Sequence, residues 1–309
     1  MNPYPMFTVR AVETDSGKVV ASTSVVAPVG TEMSCWRCHG GGWGREEGTG
    51  VSLQTARSIL AVHDKRSGTD LSKRALAGKP VLCQSCHPDP LLKAKGDPER
   101  LNLPAAIHGF HANYLKGRGD EACSNCHPDS NAGSVRCLRD SHGQAGMTCV
   151  PCHGYLEDHA ISLLKREQGA GKARAEKLMA ALPVRMVADA ATINARTPWA
   201  QEPDCSTCHT DKYIRPKADA LAFNVWTKDG SGLYRAQKDM TGKVPCIACH
   251  NSPHATHPSN NPMGKDRDAV QAMQYQNLNA PIGAQGNCRV CHGAATMLTP
   301  AMAVHHPMK

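Results

Sequence analysis

Fourteen of the fifteen cysteines fall in seven pairs with two residues between partners, and histidine follows every pair. The pentapeptides are CWRCH, CQSCH, CSNCH, CVPCH, CSTCH, CIACH and CRVCH. Their cysteines are Cys35 and Cys38, Cys83 and Cys86, Cys123 and Cys126, Cys149 and Cys152, Cys205 and Cys208, Cys246 and Cys249, and Cys288 and Cys291. The histidines are His39, His87, His127, His153, His209, His250 and His292. At this chain's Cys and His frequencies, chance supplies on the order of 0.04 such pentapeptides.

The spacing matches covalent haem attachment. Two thiols held two residues apart can add to the two vinyl groups on one edge of a haem, and the adjoining histidine then reaches the iron as its proximal ligand. A zinc half-site or a redox dithiol would use the CxxC but leaves seven adjoining histidines without a reason. A disulfide scaffold has no need for a regular two-residue spacing followed by His. The expected cofactors are therefore seven haem c groups.

Composition fits that expectation. Aromatic residues make up 4% of the 309, with three Phe and four Trp, too few for a conventional core of this length. At about one porphyrin per 44 residues, most of the chain would lie close to a macrocycle. The expected fold is mostly irregular coil with short α-helices, a multihaem c-type arrangement wrapped around a chain of seven haems. The 27 Gly and 21 Pro suit such wrapping. A formal net charge of +8 would ordinarily suggest an anionic partner such as nucleic acid. Roughly fourteen propionates and, when ferric, roughly seven iron-porphyrin charges bring the total to about +1 oxidised and about −6 reduced. Nucleic-acid binding thereby loses its support.

Thioether attachment takes place outside the cytoplasm in prokaryotes, so the chain is expected to be exported, to the cell surface or medium or else to the periplasm. Residues 1–34 lack a basic segment followed by an unbroken apolar run, so an export leader is expected to have been removed. No stretch approaches the length of a membrane-spanning helix.

The gaps between attachment sites are uneven, which rules out a strict repeat. Before the first site, FTVRAVE, TDSGK and VVASTSVV alternate apolar and polar residues around an Asp-Ser-Gly turn, predicting a β-hairpin within 1–34. It reads either as a small surface flap or as an intersubunit contact. Residues 52–64 read as a helix opened by a capping Ser, with Leu53, Ala56, Leu60 and His63 on its buried face. Residues 155–182 read as one long or interrupted helix, with Gly-Ala-Gly as the break. Residues 183–204 hold three prolines and no attachment site, and are the expected linker between a four-haem portion, 35–182, and a three-haem portion, 205–309.

Nine histidines lie outside the motifs: His63, His108, His111, His142, His159, His254, His257, His305 and His306. Seven would make every haem bis-histidine and close every iron to substrate. The expected distal set is His63, His108, His111, His142, His159, His254 and His305. His108 and His111 stand one helical turn apart, so both could face the same way and serve two irons. His254 is preferred to His257, and His305 to His306, because each rejected residue precedes a proline. Twelve methionines offer a rival ligand, but the histidine surplus makes them unnecessary. Cys137 has no partner at motif spacing; it reads as a buried thiol in preference to a lone thioether for an eighth haem.

In SCWRCHGG, ILAVHD, LCQSCHPDP, AIHGFHANY, TCVPCHG and LEDHA, and over nearly its whole length, the chain resembles the extracellular multihaem cytochromes of metal-respiring prokaryotes. The motifs are specific for a c-type cytochrome and say little about polymerisation. Some members of that family form filaments, or cytochrome nanowires. The resemblance implies electron transfer without catalysis, alternating parallel and T-shaped haem pairs, and end haems close to those of the next subunit in a homopolymer. It also implies upstream periplasmic or membrane cytochromes, extracellular electron acceptors, and a distal ligand, His305 or His306, that a neighbouring protomer could receive. A discrete periplasmic shuttle is the alternative. Multihaem reductases often replace the motif histidine with lysine, and no CxxCK occurs here. Hydroxylamine-type chemistry, which uses an ordinary motif, stays open.

Overall fold

The computed structural model describes residues 6–26, 34–41, 52–90, 93–127, 137–138, 141–198, 200–210, 219–228, 237–239, 242–250 and 253–254. Cys288, Cys291, His292, His257, His305 and His306 lie outside them. Coil joins short helices to one two-stranded antiparallel hairpin.

Strand β1, Met6–Val12, pairs with β2, Val19–Val26, with Phe7 opposite Val25 and a register slip between Ala11 and Val12. The turn closes where Gly17, at φ +67°, donates its N–H to Glu13 O at 2.9 Å, a conformation that glycine adopts without strain. This is the predicted hairpin. Its described side chains are all exposed, Val12 at 52% and Val20 at 62%.

The helices begin with α1, Trp36–His39, α2, Leu53–Ser67, and α3, Leu71–Leu76. A 3-10 turn at Cys83–Ser85 precedes α4, Leu103–Leu115, and α5, Glu121–Ser124. Then come α6, Ser141–Gln144, α7, Val150–His153, α8, Leu156–Gly169, and α9, Ala173–Met179. The last two are α10, Cys205–Cys208, and α11, Ile247–His250. The predicted break at Gly-Ala-Gly separates α8 from α9.

Contacts group the described residues into two units, each discontinuous in sequence. One takes those within 6–68, 125–146 and 249–254; the other takes those within 69–124 and 147–248.

In the first unit Ser52 caps α2, its Oγ accepting from Thr55 N at 3.1 Å, as predicted. Thr55 is fully buried and its hydroxyl donates to Gly40 O, which fixes α2 against the end of α1. The face expected to be buried is instead half open: Leu53 is 65% exposed, and Ala56, Leu60 and His63 are only partly covered. Among the described residues, protein packing seals this helix only at its Thr55 end.

The second unit holds the apolar core. Helix α4 turns a stripe of small residues, Ala105, Gly109 and Ala112, toward α8, and a Cβ on Gly109 would stand 3.0 Å from the methyls of Leu164. The close approach buries Ile161, Leu163 and Leu164 completely, each contributing about 1.5–3 kcal/mol. Buried carboxylates tie the ends of this helix pair. Glu167 accepts from Asn102 N at 2.7 Å, from Asn102 Nδ2 at 2.9 Å and from Lys172 Nζ at 2.8 Å. Asn102 in turn caps α4 by accepting from Ala105 N. Glu157 accepts from Gly117 N at 2.5 Å at the other end of α4.

Residues 183–198, within the stretch expected to link two haem-bearing portions, lie against α8. Asp158 accepts from Arg185 N and Met186 N, Lys165 donates to Ala191 O and Ile193 O, and Arg196 N donates to Ser162 O. Among the described residues, no helix is long and apolar enough to cross a membrane.

Candidate haem-binding sites

Four of the motifs close on the same hydrogen bond. The histidine N–H donates to the carbonyl of the first cysteine: His39 to Cys35 at 2.9 Å, His87 to Cys83 at 2.8 Å, His153 to Cys149 at 2.9 Å and His209 to Cys205 at 2.8 Å. One helical turn places residues three apart on one side, so both thiols leave the turn together with the imidazole beside them. In the first and fourth motifs a glycine ends the turn in one shared conformation, Gly40 at φ +72° and Gly154 at φ +75°. At Gly154 a Cβ would also meet the Phe223 ring at 2.6 Å.

The arrangement suits a haem on three counts. The i,i+3 spacing of each pair puts both cysteines on one side of a helical turn, and no described cysteine is in a disulfide. Large apolar side chains beside the motifs and the candidate distal histidines face outward: Trp36 at 39% exposure, Leu82 at 75% and Ile107 at 46%. Several imidazoles are also held in the tautomer that metal ligation requires. Nδ1 of His87 donates to Leu101 O at 2.8 Å, that of His108 to Pro104 O at 2.9 Å and that of His111 to Ile107 O at 2.8 Å. Each bond leaves the lone pair on Nε2. By contrast, no three His, Cys, Asp or Glu side chains among the described residues converge on one metal ion, as a structural zinc site demands.

His153 has a different partner. Nη1 of buried Arg196 lies 3.2 Å from its Nδ1, and since a guanidinium can only donate, Nδ1 accepts. Arg196 is held there by its Nε bond to Gln201 O at 3.0 Å and by the Trp226 ring beneath it, 5.0 Å to the centroid.

The distal candidates fall in several places. His108 on α4 and His159 on α8 meet near His153: His159 lies 4.7 Å from His108 and 5.6 Å from His153, centroid to centroid, edge to face in both cases. His111 sits one turn beyond His108. In the first unit, His63 stands on α2, while His254 bridges to Leu138, whose carbonyl lies 3.0 Å from where a Cβ on Gly143, next to His142, would be. Cys137, expected as a buried thiol, is half-buried and not in a disulfide.

Motifs distant in sequence also meet. Ser34 N donates to Cys126 O at 2.9 Å, and the Cys126 thiol is pushed up by burial and then by Cys35 and Cys38. Burial likewise raises Cys35 and Cys208 and lowers His127. The Cys205 thiol is pushed up to about 12 by burial, with Cys246, Glu202 and Asp204 adding to it. Asp204 caps α10 by accepting from Ser206 N at 2.9 Å. Arg196, Gln237 and Ser34 were not among the residues singled out by sequence; they sit outside the motifs and match no local pattern.

Comparison with protein-family models, with curated proteins and with solved structures found no match to this chain.

Proposed function

We propose that this chain is a multihaem c-type cytochrome that carries seven covalent haems and transfers electrons. The observation that carries the reading is the sevenfold CxxCH, supported by the single-turn geometry that the first, second, fourth and fifth motifs share. Haem iron, when bound, supplies reversible one-electron exchange between Fe(III) and Fe(II).

The chain's own residues do the rest. The fourteen motif cysteines hold the macrocycles, and His39, His87, His127, His153, His209, His250 and His292 bind from the proximal side. His63, His108, His111, His142, His159, His254 and His305 close the distal side, which keeps water and substrate off the iron. Backbone carbonyls on Nδ1 of His87, His108 and His111 orient those rings and raise their donor strength, whereas His153 binds iron through Nε2 only after its ring proton moves to Nδ1 and the Arg196 hydrogen bond is given up. The coil wraps the haems and sets the polarity around each.

The protein works outside the cytoplasm, at the cell surface or beyond, as a homopolymer joined through end-to-end haem contact. It receives electrons from periplasmic or membrane cytochromes and passes them to extracellular acceptors. The hairpin supports the polymeric reading: a lone two-stranded sheet is marginal in water, and the outer edge of each strand carries backbone groups that the pair does not use.

The test is the intact mass and absorbance of purified protein. Seven haem increments with a Soret band are expected, and the bare polypeptide mass overturns the proposal. Negative-stain microscopy then reads the assembly: filaments support the homopolymer, and discrete particles replace it with a periplasmic shuttle. A ferric high-spin signal in the native protein would point to an open iron and a reductase.

A further inference from the structure

Two hydrogen-bonded junctions join attachment motifs that are separate in sequence. In the first, the peptide N–H of Ser34, immediately before Cys35, donates to Cys126 O at 2.9 Å. The second motif lies between them in sequence, yet its histidine is tied elsewhere, to Leu101 O.

In the second junction Gln237 acts as a staple. Its side-chain amide donates to Pro203 O at 3.4 Å, two residues before Cys205, and its backbone carbonyl accepts from Cys246 N at 3.1 Å. The bridge between Lys238 and Pro245 continues the contact toward the sixth motif, and the bridge between Pro203 and Trp226 braces the fifth.

A c-type haem is anchored at one edge through its two cysteines, so its position follows the motif backbone to within a side-chain length. Motifs joined by a backbone hydrogen bond, or through a single residue bonded to both, therefore hold haems side by side. We infer that the haem at Cys35 and Cys38 neighbours the one at Cys123 and Cys126, that the haems of the fifth and sixth motifs form a second such pair, and that the electron path departs from sequence order. This rests on the seven motifs being haem sites. It adds which sites exchange electrons directly.

The test is a density map of the intact haem-loaded protein, as particle or filament, in which thioether bonds identify each iron. The iron of the first motif is expected to have the third-motif iron as its nearest neighbour within the chain, and the fifth-motif iron to lie closer to the sixth than to the fourth. Finding the second-motif iron nearest to the first, or the fourth-motif iron nearest to the fifth, overturns the inference while leaving the haem reading intact. A map with no porphyrin at the motifs overturns both.

Discussion

His108 and His159 meet edge to face, their ring centroids 4.7 Å apart and their planes at 80°. Two imidazoles on opposite faces of one metal hold their ligating nitrogens roughly 4 Å apart, twice a bond of about 2.0–2.1 Å, with the ring centres farther out still. The observed contact is too close for that arrangement, so on the proposed haem reading the two rings would serve different irons. Replacing either with Ala is expected to leave all seven haems attached and turn one high-spin; the double variant should turn two. Integrated high-spin EPR intensity decides it, and a double variant no stronger than a single one would remove one of the two rings from the ligand set.

Arg196 bears on the fourth motif through His153. A buried positive charge near an iron disfavours the oxidised form and raises the potential. Acting at about 8 Å through an effective dielectric of about 20, it is worth no more than about 2 kcal/mol, or about 85 mV for a one-electron couple. Arg196→Gln is expected to lower one midpoint potential by tens of millivolts and leave six in place. Spectroelectrochemical titration of the intact protein reads this, and seven unchanged potentials would remove the arginine from any tuning role.

Glu167 is a stability test that involves no haem. Removing it strands Asn102 N and Asn102 Nδ2 in a buried place, at about 1–3 kcal/mol for each unsatisfied donor, and leaves Lys172 Nζ only its bond to Arg100 O. Glu167→Ala should therefore lower the denaturation midpoint sharply. Glu167→Gln keeps one acceptor and should recover part of the loss. Equal stability of the two variants would mean that the charge, not the acceptor, matters.

Two glycines separate backbone strain from steric conflict. Gly68, at φ +66°, has open space around its missing Cβ, whereas Gly154, at φ +75°, faces Phe223. Gly68→Ala is expected to cost only the left-handed backbone penalty of about 1–2 kcal/mol. Gly154→Ala adds displacement of Phe223 to that penalty and should be the more damaging, with a changed spectrum for the haem of the fourth motif. Thermal unfolding of both variants makes the comparison.

The elements legible in the sequence were those written in local pattern. Alternation over 7–26 gave the hairpin, Ser52 the start of α2, and Gly-Ala-Gly the gap between α8 and α9. The open face of α2 was misread because an apolar stripe signals burial without naming what covers it. Residues 183–198 looked like a linker from their prolines, and what holds them to α8 is Asp158 and Lys165 reaching for backbone groups far away in sequence. The same holds for the meeting of Cys126 with Cys35, for Gln237 and for Arg196: each is a long-range contact made by a residue that looks ordinary where it stands.

On the proposed haem reading, four attachment turns close through their own backbone, although that of the fourth motif is also held by Ala222 N and Phe223 N on Pro151 O. Cofactor number can then grow with chain length instead of interior volume, and a protein built this way can gain or lose a redox centre by inserting or deleting a short peptide.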